Sequence, residues 1–395
     1  MSVPAATRRV HRELHVALAF LVAWQVAALL GAPRDAAVWL GLLGFVLHVL
    51  FAKAYTLVPS YFARRLAVPW APTVQLPLTA LGAAGVAGAT AGWLPRWLGA
   101  VGATAWLLGV LVFVGSLAWT LRGNLTGAET GTGEPNADRR PVDRFANAFV
   151  PVAGAYLLVG SYALAASWTP LPVLLDGFVP RAAHLLGAGT AALLVFAVGF
   201  RLLPRFLVAH PPRALVAVVL PAGALGPALI AAGLPHGPWL DLGGALEATA
   251  VVGFALAFGW QFVRSDRRRV GFYPVGLGLL AGVVAAGLGL TMAAVGPLPA
   301  LVRAHANLNL LGLLGLTVVG VTYQFYPPAV GQFPGASDRT ALAVVGGLAG
   351  GLLVEVLGLL TGVAPLVTAG RALATLGAVG YALLLTGLLW RLRHR

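Results

Sequence analysis

The sequence predicts an all-α protein made of transmembrane helices, and three observations carry that prediction. Apolar stretches of about 20 residues recur from one end of the chain to the other, the length a helix needs to cross a bilayer. Hydrophobic residues make up 59% of the chain and charged residues 10%, whereas soluble domains carry about 25% charged residues. Two helix endings, one aromatic–polar–x–x–Pro and one Trp followed by Arg, each recur three times in the same order, which divides the chain into like parts. The roughly ten-residue alternating segments of a membrane β-barrel are missing. Cysteine is absent, which excludes disulfides, thiolate-held iron–sulfur clusters and thiolate copper centres.

In chain order, twelve spans are expected at about 14–32, 37–63, 69–92, 97–121, 146–168, 180–206, 213–234, 240–263, 271–295, 300–326, 340–362 and 367–392. The first lacks a small-residue cleavage site and is expected to be a retained helix rather than a signal peptide. The polar, Gly-rich stretch 123–145 is expected to be a loop. With the N-terminus inside, twenty arginines (Arg8, Arg9, Arg12, Arg64, Arg65, Arg122, Arg139, Arg140, Arg144, Arg201, Arg205, Arg213, Arg264, Arg267, Arg268, Arg269, Arg339, Arg391, Arg393 and Arg395) fall on inner segments. Five (Arg34, Arg96, Arg181, Arg303 and Arg371) fall outside. That is the bias of cytoplasmic loops. It explains the net charge of +14 as a topology signal of an inner-membrane protein, not as a nucleic-acid patch.

Spans 2, 6 and 10 end in Tyr55-Thr-Leu-Val-Pro59, Phe200-Arg-Leu-Leu-Pro204 and Tyr323-Gln-Phe-Tyr-Pro327. A proline there stops the backbone ladder. Spans 4, 8 and 12 close with Trp119-Thr-Leu-Arg122, Trp260-Gln-Phe-Val-Arg264 and Trp390-Arg-Leu-Arg393, which suit an inner interface. The proline-to-tryptophan gaps are 60, 56 and 63 residues. The chain is therefore expected to be a single transmembrane domain, 1–395, with repeat 1 at 1–122, the loop at 123–145, repeat 2 at 146–268 and repeat 3 at 269–395. Four spans per repeat keep the repeats parallel. The expected arrangement is a pseudo-threefold ring of three four-helix arcs with both termini cytoplasmic.

That architecture, with His48, His184 and His305 on spans 2, 6 and 10 and the segment Ala304-His-Ala-Asn-Leu-Asn-Leu-Leu-Gly312, resembles the catalytic subunit of haem-copper oxidases and nitric oxide reductases. The resemblance covers nearly the whole chain as architecture and a few residues as ligand motif. In that family, helices 2, 6 and 10 carry inward histidines that hold haem and copper, helix 7 adds a histidine pair, and arginines between helices 11 and 12 pair haem propionates. Here Asn307 stands where the second helix-10 histidine would fall, span 7 has no histidine, and Arg371 begins the last span.

The resemblance thus implies a diverged member with a reduced ligand set. It implies b-type haem, or a single copper or iron ion, bound in the outer half through His305 with His184 or His48. It implies electron transfer, or binding of a diatomic gas such as nitric oxide or oxygen, and a redox subunit or small electron carrier as partner. The missing helix-7 pair argues against full oxygen reduction.

Depth sorts the histidines. His305 and His184 lie 22 and 20 residues before their prolines, His48 only 11. At about 1.5 Å per residue His48 sits roughly 15 Å deeper than His305. If spans 2 and 10 are level, those two cannot ligate one haem iron. Helix-start capping by His305 and His184, and a hydrogen-bonded interior role for His48, are the plainer alternatives. Lys53, Glu247 and Glu355 also fall within spans, as proton-path or metal-ligand candidates or as partners of neighbouring polar groups. Asn307 and Asn309 could bond a ligand or join helices. A secondary transporter remains open, disfavoured by spans 2, 6 and 10 reading as unbroken near the midplane. A cofactor-free subunit that kept the scaffold is the third option.

Overall fold

The computed structural model describes residues 5–393, with side chains from Val10 to Arg391. His394 and Arg395 lie outside the described residues. Eleven described helices are long and apolar enough to cross a membrane. They are α1 (Ala5–Leu29), α2 (Arg34–Tyr61), α4 (Arg96–Leu121), α5 (Phe149–Trp168), α6 (Val179–Leu207), α7 (Arg213–Gly233), α8 (Pro238–Arg264), α9 (Phe272–Val295), α10 (299–325), α11 (Asp338–Thr361) and α12 (Ala364–Arg393). The remaining helix, α3 (Ala71–Thr90), is long enough, but Pro72, Thr73, Gln75 and Pro77 dilute its apolar surface. No strand occurs among the described residues.

Two expectations about helix ends are corrected. α1 begins at Ala5, well before residue 14, so the helix takes in polar residues that precede the apolar run. Pro59 and Pro204 do not end their helices, which run on to Tyr61 and Leu207. A proline in the last turn removes one donor without closing the ladder above it. The chain instead turns at Ala63 (φ 51°) and Val208 (φ 55°), left-handed residues of the kind that close helices. The Ser265 hydroxyl donates to the Leu207 carbonyl at 2.5 Å.

Each of α2, α6 and α10 changes geometry part-way. Residues Leu40–Leu47, Leu185–Ala192 and Leu308–Leu316 are π-helical, a rare form in which the ladder steps five residues instead of four. The helices are continuous, yet the expectation of regular, unbroken spans is not met. The three segments share one register: Gly44, Gly189 and Gly312 each hold the fifth π position and stand 15 residues before Pro59, Pro204 and Pro327. A neighbouring helix presses on each glycine. An added Cβ would lie 2.5 Å from the Phe20 ring of α1, the Tyr156 ring of α5 and the Ala281 side chain of α9, respectively. The following helices pack as close pairs, α3 with α4, α7 with α8 and α11 with α12. Small residues allow the approach: Cβ atoms on Gly85 and Gly347 would lie 3.0 Å from the Cα atoms of Gly102 and Gly377.

The packing divides into two compact units, residues 1–49 with 267–395, and residues 50–266. Within the second unit the stretch expected as a loop is partly helical, with a short helix at Arg140–Asn147.

Candidate functional site

The intramembrane histidines are oriented alike. In His48, His184 and His305 the Nδ1 atom lies 2.8 Å from a backbone carbonyl, of Leu43, Pro180 and Ala285 respectively. A carbonyl can only accept, so Nδ1 carries the proton and the lone pair is left on Nε2. This is the tautomer that metal-ligating histidines are held in by their outer partners.

His305 has the most built seat. Its ring lies against Gly289 of α9, where a Cβ would come within 3.2 Å of Cε1. The Asn309 amide nitrogen stands 3.2 Å from His305 Nε2 and donates to the His305 carbonyl at 2.9 Å. Asn307 sits where α-geometry gives way to the π segment. His48 is fully buried and stacks against the Phe20 ring, centroids 5.5 Å apart with the planes inclined by 27°. Removing the Cβ at Gly44 is what lets Phe20 in.

Within the first unit, α2 and α10 meet at their π segments, where a Cβ on Gly315 would lie 3.7 Å from the Phe45 ring. Phe45 and Gly315 are 14 and 12 residues before their prolines, so the two helices are level. For parallel helices in that register, His48 and His305 lie on the order of 15 to 20 Å apart along the axis. The pair cannot face one iron from two sides.

Arg371 and Glu355, expected as separate candidates, are brought together. Arg371 Nε donates to Glu355 Oε1 at 2.7 Å, across the close α11–α12 pair. Glu355 is 5% exposed. Arg371 is thus occupied by a carboxylate of the protein itself rather than awaiting one on a ligand. Glu247 of α8 lies beside Gly226 of α7, with Oε2 3.1 Å from where a Cβ would sit. That oxygen is buried and meets no protein donor among the described residues. Lys53 is partly buried on α2.

A metal ion needing three or more protein ligands does not fit. No group of three His, Cys, Asp or Glu side chains is gathered among the described residues, so copper held as in an imidazole-rich centre is not supported. A haem needs only one axial imidazole, and His305 offers it through Nε2 once the Asn309 amide, 3.2 Å from that nitrogen, turns aside.

The best-connected polar cluster was not among the sequence candidates. Arg201 of α6 is 3% exposed. It donates to the Tyr61 carbonyl at 2.9 Å, to Asn147 Oδ1 at 2.5 Å and to the Thr130 carbonyl at 2.8 Å. Its guanidinium carbon lies 3.9 Å from the Tyr61 ring centroid. Asp143, 1% exposed, accepts from Arg205 at 2.6 Å and from the Thr132 hydroxyl at 2.5 Å, with Arg201 Nε 3.4 Å away. Asn124 bonds the Phe62 and Glu129 carbonyls. The segment 123–147 is thereby locked onto the ends of α2 and α6. One signal was in the sequence: Arg201 holds the polar place of the repeated aromatic–polar–x–x–Pro ending, shared by Thr56 and Gln324.

The first helix holds the other missed residues. His11 and Glu13, just before the expected first span, are 0% and 1% exposed. The His11 ring meets Tyr326 edge-on at 6.1 Å. No family model matches the chain, and no curated protein matches it.

Proposed function

We propose that this integral membrane protein holds a b-type haem through Nε2 of His305 and binds a diatomic gas or passes electrons there. One observation carries the assignment: His48, His184 and His305 each hold Nδ1 on a main-chain carbonyl, the tautomer in which Nε2 is the nitrogen a metal takes. Bound haem would supply the iron chemistry. The chain's own contribution is to seat the ring over Gly289, hold its proton on the Ala285 carbonyl and keep Asn309 beside the ligating nitrogen. With His48 out of reach, His305 is the single axial ligand in its unit, which favours gas binding over pure electron transfer. The three equally registered π segments and close helix pairs support the arrangement as three parallel repeats with cytoplasmic termini.

The test is an optical spectrum and iron analysis of the purified protein in detergent. A Soret band, lost in His305→Ala and kept in His48→Ala, is expected. No Soret absorbance and no iron would remove the assignment.

A secondary transporter is the alternative. It is favoured by the π segments, which interrupt three helices at membrane depth, and by the unpartnered Glu247 oxygen. Ion-coupled uptake by cofactor-free protein, abolished in Glu247→Gln, would establish it instead.

A further inference from the structure

Glu13 is a carboxylate inside the protein with no hydrogen-bond partner or ion pair among the described residues. It is 1% exposed, and neither oxygen meets a protein hydrogen-bond donor among the described residues. It lies on one stripe of α1 with Ala17, Phe20 and Trp24, at helical spacing. Phe20 and Trp24 seat that stripe on the π segment of α2, where Cβ atoms on Gly44 and Gly41 would come within 2.5 and 2.9 Å of the two rings. Glu13 therefore faces protein, not lipid, one to two turns from where α1 enters the apolar span.

Among the described residues, these titratable groups on α1 and on the helices it packs against are engaged elsewhere. On α1 itself, His11 is turned to Tyr326, His15 Nδ1 lies 2.5 Å from the His11 carbonyl, and Arg12 is exposed. On α12, Arg371 is paired with Glu355, Tyr381 packs against Tyr323 at 5.7 Å, and the Arg391 guanidinium lies 5.4 Å from the Trp390 ring. At the start of α2, Arg34 and Asp35 pair with each other. None of these forms an ion pair or hydrogen bond with Glu13 among the described residues. An ionised carboxylate so placed bears an uncompensated desolvation cost, which attaching a positive charge removes.

We propose that Glu13 is a proton-binding site, a carboxyl group that takes up and releases a proton at the end of the helix bundle where α1 begins. It is independent of the haem assignment, because no haem ligand touches it and haem-free protein should show it equally.

The test uses the full chain in phosphatidylcholine vesicles and dicyclohexylcarbodiimide, a hydrophobic reagent that reacts with a protonated carboxyl group but not with a carboxylate. Peptide mass spectrometry is expected to find the adduct on Glu13, insensitive to sodium ions. Once the proton is lost at alkaline pH, labelling should fall about tenfold per pH unit. In parallel, Glu13→Gln should delete one protonated-carboxyl band from the pH-difference infrared spectrum, a readout that does not depend on reagent access. Protection by sodium chloride would make this an alkali-ion site and overturn the proposal. So would labelling that ignores pH, or an infrared spectrum unchanged in Glu13→Gln.

Discussion

Arg201 and Glu13 are buried to the same degree, yet their surroundings are opposite. The Arg201 guanidinium is surrounded by the Tyr61 and Thr130 carbonyls, Asn147 and Asp143, while among the described residues Glu13 has no donor on either oxygen. Burial alone therefore does not separate a structural charge from a working one, but the count of partners does. A charge with its hydrogen bonds filled is held in one state and fastens the chain. A group left unfilled can change state without tearing anything.

The comparison is broken most directly by removing one member of the filled cluster. Asp143→Ala leaves Arg201 buried beside an empty place and frees Arg205 and Thr132. Losing one partner of a buried pair costs about 3–5 kcal/mol. Thermal unfolding in detergent should show a large drop, and limited proteolysis should open the segment 123–147, which is otherwise protected by its contacts with the ends of α2 and α6. An unchanged melting temperature would mean that the cluster fastens nothing.

The next effect concerns the π segments. Gly44→Ala drives a methyl group to within 2.5 Å of Phe20, and overpacking of this kind costs about 1–3 kcal/mol. Gly259→Ala and Gly287→Ala meet nothing within 4 Å. In helix interiors they should be neutral or stabilising, by up to about 1 kcal/mol. If all three variants melt alike, the glycine at the fifth π position is not what holds the first helix of each group against the second.

These two regions also mark what the sequence could and could not say. Helix positions were legible because crossing a bilayer demands long apolar runs, and the ends of α4 through α12 fall within a few residues of expectation. The π segments were not legible. Leu40–Leu47 is apolar on all sides and Leu308–Leu316 is so apart from Asn309, so a change of helical period leaves the hydrophobic pattern almost unchanged. The stretch 123–145 was legible as polar and turn-rich, but its docking depends on Arg201, roughly sixty residues away. His11 and Glu13 lie just before the expected first span, where sequence alone does not mark a polar residue as buried. Only packing distinguishes cover by protein from cover by water. The Arg371–Glu355 pair spans a hairpin, so its two members appeared as separate candidates.

Smaller still is the expected effect of Glu13→Gln on stability. Glutamine keeps the shape and no hydrogen bond is lost, so the melting temperature should move by no more than about 1 kcal/mol would produce. A loss as large as that of Asp143→Ala would mean that Glu13 has a partner after all, and the contrast with Arg201 would vanish.

The weakest effect belongs to an ion pair between Asp176, just before α6, and Arg181 in its first turn. Asp176 accepts from Arg181 at 2.8 Å through each oxygen and from the Phe178 backbone N–H at 3.0 Å. These bonds, the Arg181 guanidinium first, hold its carboxyl below the usual aspartate range. A depressed folded-state value fixes the sign: the contribution is complete above the unfolded value of about 4 and drains away as pH falls below it toward the folded value. Arg181 also donates to the Ala231 and Ala232 carbonyls, at the C-terminal end of α7 where a cation is favoured, so acidification should loosen that helix end. Because the Asp176 side chain is 53% exposed, solvent screens most of the attraction. Hydrogen exchange at the end of α7 is the suitable measurement. The wild type should exchange faster as pH is lowered below about 4, after correction for intrinsic rates, and Asp176→Asn should show the faster exchange already at neutral pH. Equal protection in both proteins at neutral pH would show that Arg181 holds α7 without help from Asp176.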